Sequence, residues 1–267
     1  MMKEFNSYFD TLFLPIQSKI YVAERFPNVL YDETALSIKD KIPKDIKCIS
    51  KLTEYTYLSG CIRAKTIDEK VDEFLCLNPN GVVVELNSRL STACYRLKVT
   101  NKWYCVDNAR NLKIRKELFN DQSNVLYIND DIFKYNWLNQ ILENNPNVPI
   151  LIISIGVFNY YPKSIVTKLI NHLLKYDNIE LIFDAVNSIG MKRMKKYYLH
   201  IGIVDYKSLF CLNDISELKL KDNSIIVLDQ RGFFNETLNE NISLFTRFYM
   251  KVADMFKMIQ LYHIITS

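Results

Sequence analysis

From residue 82 onward, short runs rich in β-branched and aromatic residues alternate with stretches of helical periodicity, and that alternation constrains the fold more than any other feature. The strand-like runs are 82–86, 103–106, 125–128, 150–155, 180–183 and 225–228, with a last one near 260–265. Between them, 109–119, 137–142, 162–174 and 244–258 carry apolar residues at helical spacing. Strands that alternate with helices build βα units and a mostly parallel sheet. The unbroken apolar run at 150–155 suits a strand covered on both faces. The expected fold class is therefore α/β, an open, doubly wound sheet.

The first 77 residues read differently. They contain no convincing strand, and Phe9, Leu12, Phe13 and Ile16, then Ala35, Leu36, Ile38 and Ile42, recur at helical spacing. Asp32 is placed to cap a helix over 34–41, and a further amphipathic helix is expected over 66–77, ended by the turn Asn78-Pro79-Asn80-Gly81. We therefore expect a helical cap at 1–77 and an α/β core at 78–267.

Composition narrows the classes of function. No apolar run approaches the ~20 residues of a spanning helix, and the N-terminus carries no secretory pattern, so a soluble cytoplasmic protein with no membrane partner is expected. Lys+Arg 34 against Asp+Glu 30 leaves +4, too mild for a nucleic-acid surface. Cys48, Cys61, Cys76, Cys94, Cys105 and Cys211 form no C-x-x-C pair, which disfavours zinc and disulfides, and only 3 histidines are present.

In a doubly wound sheet the ligand sits beyond the carboxyl ends of the strands, where strand order reverses. The first strand leads into Glu85-Leu86-Asn87-Ser88-Arg89-Leu90-Ser91-Thr92. The second ends at Asp107, about twenty residues on, the spacing at which an acid takes a cofactor ribose. Asp131 and Ile132 follow the third strand, and Ile155-Gly156-Val157 the fourth.

Several ordered segments make the chain resemble the leucine carboxyl methyltransferase family, in its bacterial, polyketide-type (tetracenomycin-like) O-methyltransferase branch. They are Thr11-Leu12-Phe13-Leu14-Pro15-Ile16, Pro27-Asn28-Val29-Leu30-Tyr31-Asp32-Glu33-Thr34-Ala35, Ile62-Arg63-Ala64-Lys65-Thr66-Ile67-Asp68 and Cys94-Tyr95-Arg96-Leu97. Trp103-Tyr104-Cys105-Val106-Asp107, Gly156-Val157-Phe158-Asn159-Tyr160-Tyr161-Pro162 and Glu180-Leu181-Ile182-Phe183-Asp184-Ala185 complete the set. The resemblance implies a Rossmann-like class I S-adenosylmethionine-dependent methyltransferase fold of seven mostly parallel strands under a helical substrate lid. It further implies a small-molecule acceptor, with Arg63 on the cofactor carboxylate, Asp107 on the ribose, and Asp131 and Ile132 at the adenine.

The departures fall where the family pattern is tightest. Asn87 and Arg89 stand at the two glycine positions of its first loop, Ser91 at the aspartate, Ala93 at the arginine, and Ile155 at the glutamate after the fourth strand. The chain has only 6 glycines where average usage predicts roughly nineteen, but a glycine required for φ > 0 should survive such a bias. Each lost charge-assisted contact is worth about 1.5–3 kcal/mol. Arg89 is expected to turn inward and pair with Asp107 in the cofactor's place.

Other polar residues take plainer readings. Tyr160 and Tyr161 are expected to pack a loop, residues 192–196 to form a solvated helix face, and His172 and His263 to be structural; His200 is the weakest of candidate bases. A carboxylate acceptor needs no general base, which suits this sequence, while a hydroxyl acceptor does. Two functions follow: methyl transfer to a carboxylate or hydroxyl, or a catalytically degenerate methyltransferase fold with a binding or structural role.

Overall fold

The computed structural model describes residues 7–43, 52–120, 122–200, 210–218, 225–234 and 241–266, with the backbone alone at 7–10; Cys48 lies outside them. Three helices precede the sheet: α1 (Ser7–Arg25), α2 (Glu33–Ser37) and α3 (Glu54–Leu77). Asp32 caps α2 as expected, accepting the Ala35 N–H at 2.9 Å, although the helix stops at Ser37 and a 3-10 turn continues over Lys39–Lys41. The helix expected over 66–77 begins twelve residues earlier, where Thr53 caps it.

The strands are β1 (Val82–Leu86), β2 (Trp103–Asp107), β3 (Val125–Asn129), β4 (Ile150–Ser154), β5 (Ile179–Val186), β6 (Ile225–Arg231) and β7 (Ile259–Thr266). The helices between them are α4 (Ala93–Arg96), α5 (Ala109–Leu118), α6 (Asn136–Asn144), α7 (Lys163–Leu173), α8 (Ser188–His200) and α9 (Leu244–Met255). Strand order is β3-β2-β1-β4-β5-β7-β6, with β7 antiparallel to both of its neighbours and the remaining pairings parallel.

Burial follows the sequence pattern. Every residue of β2 and β4 is buried, as strands covered on both faces require. On one face, α6 and α7 pack Trp137, Ile141, Val166 and Ile170 against Val84, Ile152 and Leu181. Val166, Leu169, Ile170 and Leu173 repeat at i, i+3, i+4, i+7, the stripe by which a helix covers a sheet. On the other face, Ile16, Leu58, Val71 and Phe74 of α1 and α3 share one apolar cluster with Val83, Trp103 and Ile153, so the N-terminal helices complete the sheet's core. The five cysteines among the described residues are unpaired, and Cys61, Cys94 and Cys105 are buried. No helix among the described residues is long and apolar enough to cross a membrane.

Candidate cofactor crevice

Strand order reverses between β1 and β4, because β1 pairs with β2 on one side and with β4 on the other. The crevice of a doubly wound sheet opens there. The loop leaving β1 crosses it with two residues in the left-handed region, Asn87 at φ 48° and Arg89 at φ 44°. These are the two positions at which the resembled family carries glycine, so the glycine-shaped path survives without glycine. A residue with a side chain pays about 1–2 kcal/mol for that region, and asparagine less than most.

Three anchors hold the path. The Arg89 backbone N–H donates to Asp107 Oδ2 at 2.7 Å. Arg115 of α5, fully buried, donates through Nη1 to the carbonyls of Ser91 at 2.6 Å and Arg89 at 3.2 Å. Its guanidinium also lies 5.3 Å from the Phe119 ring centroid and 5.6 Å from that of Tyr95. The third anchor lies behind the loop, where Thr92 Oγ1 donates to Asp32 Oδ2 at 2.5 Å and accepts from Lys19 Nζ at 2.7 Å.

That last contact belongs to a buried ionic cluster that joins the N-terminal helices to α4. Arg96 donates to Asp32 at 2.6 Å and grips both carboxylate oxygens of Asp68, at 2.6 and 2.7 Å. Two cations, Lys19 and Arg96, balance two anions, Asp32 and Asp68, as a buried charge requires. Burial alone would raise the Asp32 pKa, but the charges of Lys19 and Arg96 and the hydrogen bonds from Thr92 and Ala35 outweigh it and hold the carboxyl below its usual value. Lys19 is shifted down, first by burial and then by Arg96. Asp68 is shifted up by burial, against the pull of Arg96.

Asp107, at the end of β2, is fully buried. Its Oδ1 accepts from the Asn108 N–H at 2.7 Å, Asn108 Nδ2 at 3.0 Å and Asn111 Nδ2 at 2.8 Å, and Oδ2 takes the Arg89 N–H. With about two lone pairs on each oxygen, Oδ1 is filled by its three donors, while Oδ2, with one, keeps a site that burial shuts off from solvent. The expected side-chain pair between Arg89 and Asp107 does not form. The backbone of Arg89 takes the carboxylate instead, because the left-handed turn aims its N–H there, and the guanidinium lies over the Tyr160 ring at 5.3 Å.

Tyr160 and Tyr161 close the loop after β4, packing as their position predicts. The Asn87 amide donates to the Tyr161 hydroxyl at 3.1 Å, and the Tyr161 ring meets Phe133 edge-on at 4.7 Å. Gly156 in the same loop has φ 67°, and its N–H donates to Asp184 Oδ1 at 2.6 Å. The other oxygen of buried Asp184 takes Arg63 Nη1 at 2.6 Å. The chain's own β5 carboxylate thus holds the arginine assigned to a cofactor carboxylate.

The remaining candidates are dispersed. Glu85 accepts the Trp103 indole N–H at 3.3 Å, and half-buried Ile155 packs on the α3 face of the sheet. Exposed Asp131 caps a turn by accepting the Phe133 N–H at 3.0 Å, while Ile132 is buried and offers its carbonyl to Trp137 Nε1 at 3.0 Å. His172 stacks on Tyr135 at 3.9 Å, and His263 meets Glu180 at 2.7 Å. Sequence reasoning missed Lys19, Thr92, Asp68, Arg96, Arg115 and Asp184. The one available signal lay in the quoted segments that hold Asp68, Arg96 and Asp184.

At the ribose position the residues present do not offer S-adenosylmethionine an open carboxylate: Asp107 is fully buried, and the contacts of Arg89 with Tyr160 and of Asn87 with Tyr161 join the loops after β1 and β4. Two surface concavities of about 420 and 370 Å³ lie at the β3 edge, one lined by Leu112, Lys116 and Tyr127, the other by Tyr104, Leu126 and Gln140. Neither includes Arg89, Asp107 or Gly156.

This topology is shared with solved structures. A DUF574-family protein from Streptomyces avermitilis matches with a TM-score of 0.60 over 94% of this chain and 97% of its own, at 9% identity. Magnesium protoporphyrin IX methyltransferase from Synechocystis PCC 6803, with bound SAH, matches at 0.51 over 94% and 100%, at 14% identity. The fold is that of the class I S-adenosylmethionine-dependent methyltransferases. In sequence, 180 residues are 24% identical to the tetracenomycin polyketide synthesis O-methyltransferase of Streptomyces glaucescens, a match over 66% of this chain and 65% of that enzyme. No family model matches the chain.

Proposed function

We propose that this chain is an O-methyltransferase-like protein of the polyketide-type branch of the leucine carboxyl methyltransferase family whose cofactor crevice is closed by its own side chains, leaving a binding or structural role. The carrying observation is the Asp107 carboxylate, fully buried and engaged by four donors from its own chain while the Arg89 guanidinium lies over Tyr160. Arg63 on Asp184 and Asn87 on Tyr161 support it, since two further polar groups of the crevice are spent internally. On this reading residues 1–77 act as a lid over a core at 78–267, in a cytoplasmic protein.

A second reading, methyl transfer to a carboxylate or hydroxyl of a small molecule, is favoured by the similarity to the tetracenomycin enzyme. It requires the loops after β1 and β4 to part, so that the buried Asp107 becomes accessible to the cofactor. Calorimetric titration with S-adenosylmethionine and S-adenosylhomocysteine separates the two. We expect the natural chain to bind in the high micromolar range or weaker, a free energy of about −5.5 kcal/mol at best. The triple change Asn87→Gly, Arg89→Gly, Ser91→Asp should tighten binding at least tenfold. Low-micromolar binding by the natural chain, with no gain from the triple change, would overturn the first reading and mean that the loop is remodelled around the cofactor rather than lost to it.

A further inference from the structure

The C-terminal helix α9 has two apolar faces where a surface helix needs one. Thr246, Met250 and Ala253 are buried against the body of the protein. On the opposite side, Leu244 is 83% exposed, Phe245 68%, Phe248 62%, Met255 68% and Phe256 47%. At 100° per residue these five side chains fall within an arc of roughly 120°, one stripe along the full helix. On ordinary residue areas they expose roughly 600–700 Å², more than the ~300–600 Å² of the largest patch on a typical monomer.

We propose that α9 is a homodimer interface, its outward stripe covered by the same stripe of a second copy. Area favours this occupant, because a standard interface buries ~800 Å² per partner and the five side chains supply most of it. A stripe that runs end to end along a twelve-residue helix also meets the requirement of a two-fold contact, in which one patch must complement itself. A lipid surface is the poorer occupant. Membrane-surface helices ring their apolar face with lysine and arginine, whereas α9 carries one exposed cation, Lys251, with Lys257 just beyond its end and Arg247 half-buried.

The test is analytical ultracentrifugation of the full chain, unmodified and as Phe248→Glu and Leu244→Lys, across the micromolar range, with a flotation assay on vesicles containing anionic lipid. We expect a dimer for the natural chain and at least a tenfold weaker association for each variant, with the thermal midpoint of the monomer unchanged because both positions face outward. A natural chain that stays monomeric at 100 µM overturns the proposal. So does dimerisation that both variants leave intact, or a monomer that floats with vesicles. A monomer destabilised by Phe248→Glu overturns it too, since the stripe would then be covered by the chain itself.

Discussion

The loop after β1 has two sides that solve the same problem in different ways. Behind it, Thr92 and α4 are fastened by Lys19, Asp32, Asp68 and Arg96, four charges from four separate stretches of chain that cancel in pairs. In front, towards the crevice, the loop carries strain: Asn87 and Arg89 occupy backbone space suited to glycine, and their polar groups are satisfied by Tyr161, Asp107 and Tyr160. The rear is over-determined, and that rigidity allows the front to keep a glycine-shaped path without glycine. A loop can therefore hold a left-handed path without glycine, provided the tertiary contacts behind it fix that path.

The comparison can be broken most directly from the rear. Arg96→Ala leaves Asp68 without its guanidinium and buried Asp32 with Lys19 as its remaining countercharge, and removal of one partner of a buried ion pair typically costs 3–5 kcal/mol. Denaturant unfolding should show a loss of that size, and a loss below 1 kcal/mol would mean that the cluster does not clamp the loop. A smaller effect is expected at Arg63→Ala, which leaves Asp184 with the Gly156 N–H. The charge-assisted bond is worth about 1.5–3 kcal/mol, and because the Arg63 side chain is 25% exposed the lower end applies.

The front is sharpened by Arg89→Gly. Relief of left-handed strain gains about 1–2 kcal/mol, while the greater freedom of glycine in the unfolded chain and the lost Tyr160 contact each take back about 0.5–1, so the net is a stabilisation of at most about 0.5 kcal/mol. Differential scanning calorimetry of matched samples reads it as a small rise in Tm, and a fall would place the strain elsewhere. Smallest of all is a pH effect. The folded pKa of Asp32 lies below its unfolded value of 3.8, so its stabilisation is complete above 3.8 and is lost as pH falls through the folded value. Asp32→Asn should remove that acid-side slope from the pH dependence of unfolding, whereas an unchanged slope would assign it to other carboxyls.

Much of the architecture was legible because local pattern and tertiary environment agree. The run Val82–Leu86 is a strand to the residue, and the runs at 103, 125 and 150 begin where their strands begin, since unbroken apolar residues between turn formers have one low-energy use in a two-faced sheet. Asp32 could be recognised as a helix cap from its neighbours alone. Its second role, as the anion shared by Thr92 and Arg96, lies sixty and sixty-four residues away and leaves no local trace. Arg115 sits among Arg110, Lys113 and Lys116 with nothing to mark it as the one turned inward.

The α/β class and the starts of the first four strands could be read from the amino-acid order, as could the resemblance from whose pattern Asn87, Arg89, Ser91 and Ile155 depart. Periodicity and residue type are local quantities, and they suffice for that. Only the tertiary structure decided what the departures do: that Arg89 offers Asp107 its backbone rather than its guanidinium, that Arg63 turns to Asp184, and that Lys19 lies buried behind the loop. Those outcomes depend on which donors reach a carboxylate first in three dimensions. A carboxylate accepts from whatever donors the fold brings within hydrogen-bonding distance.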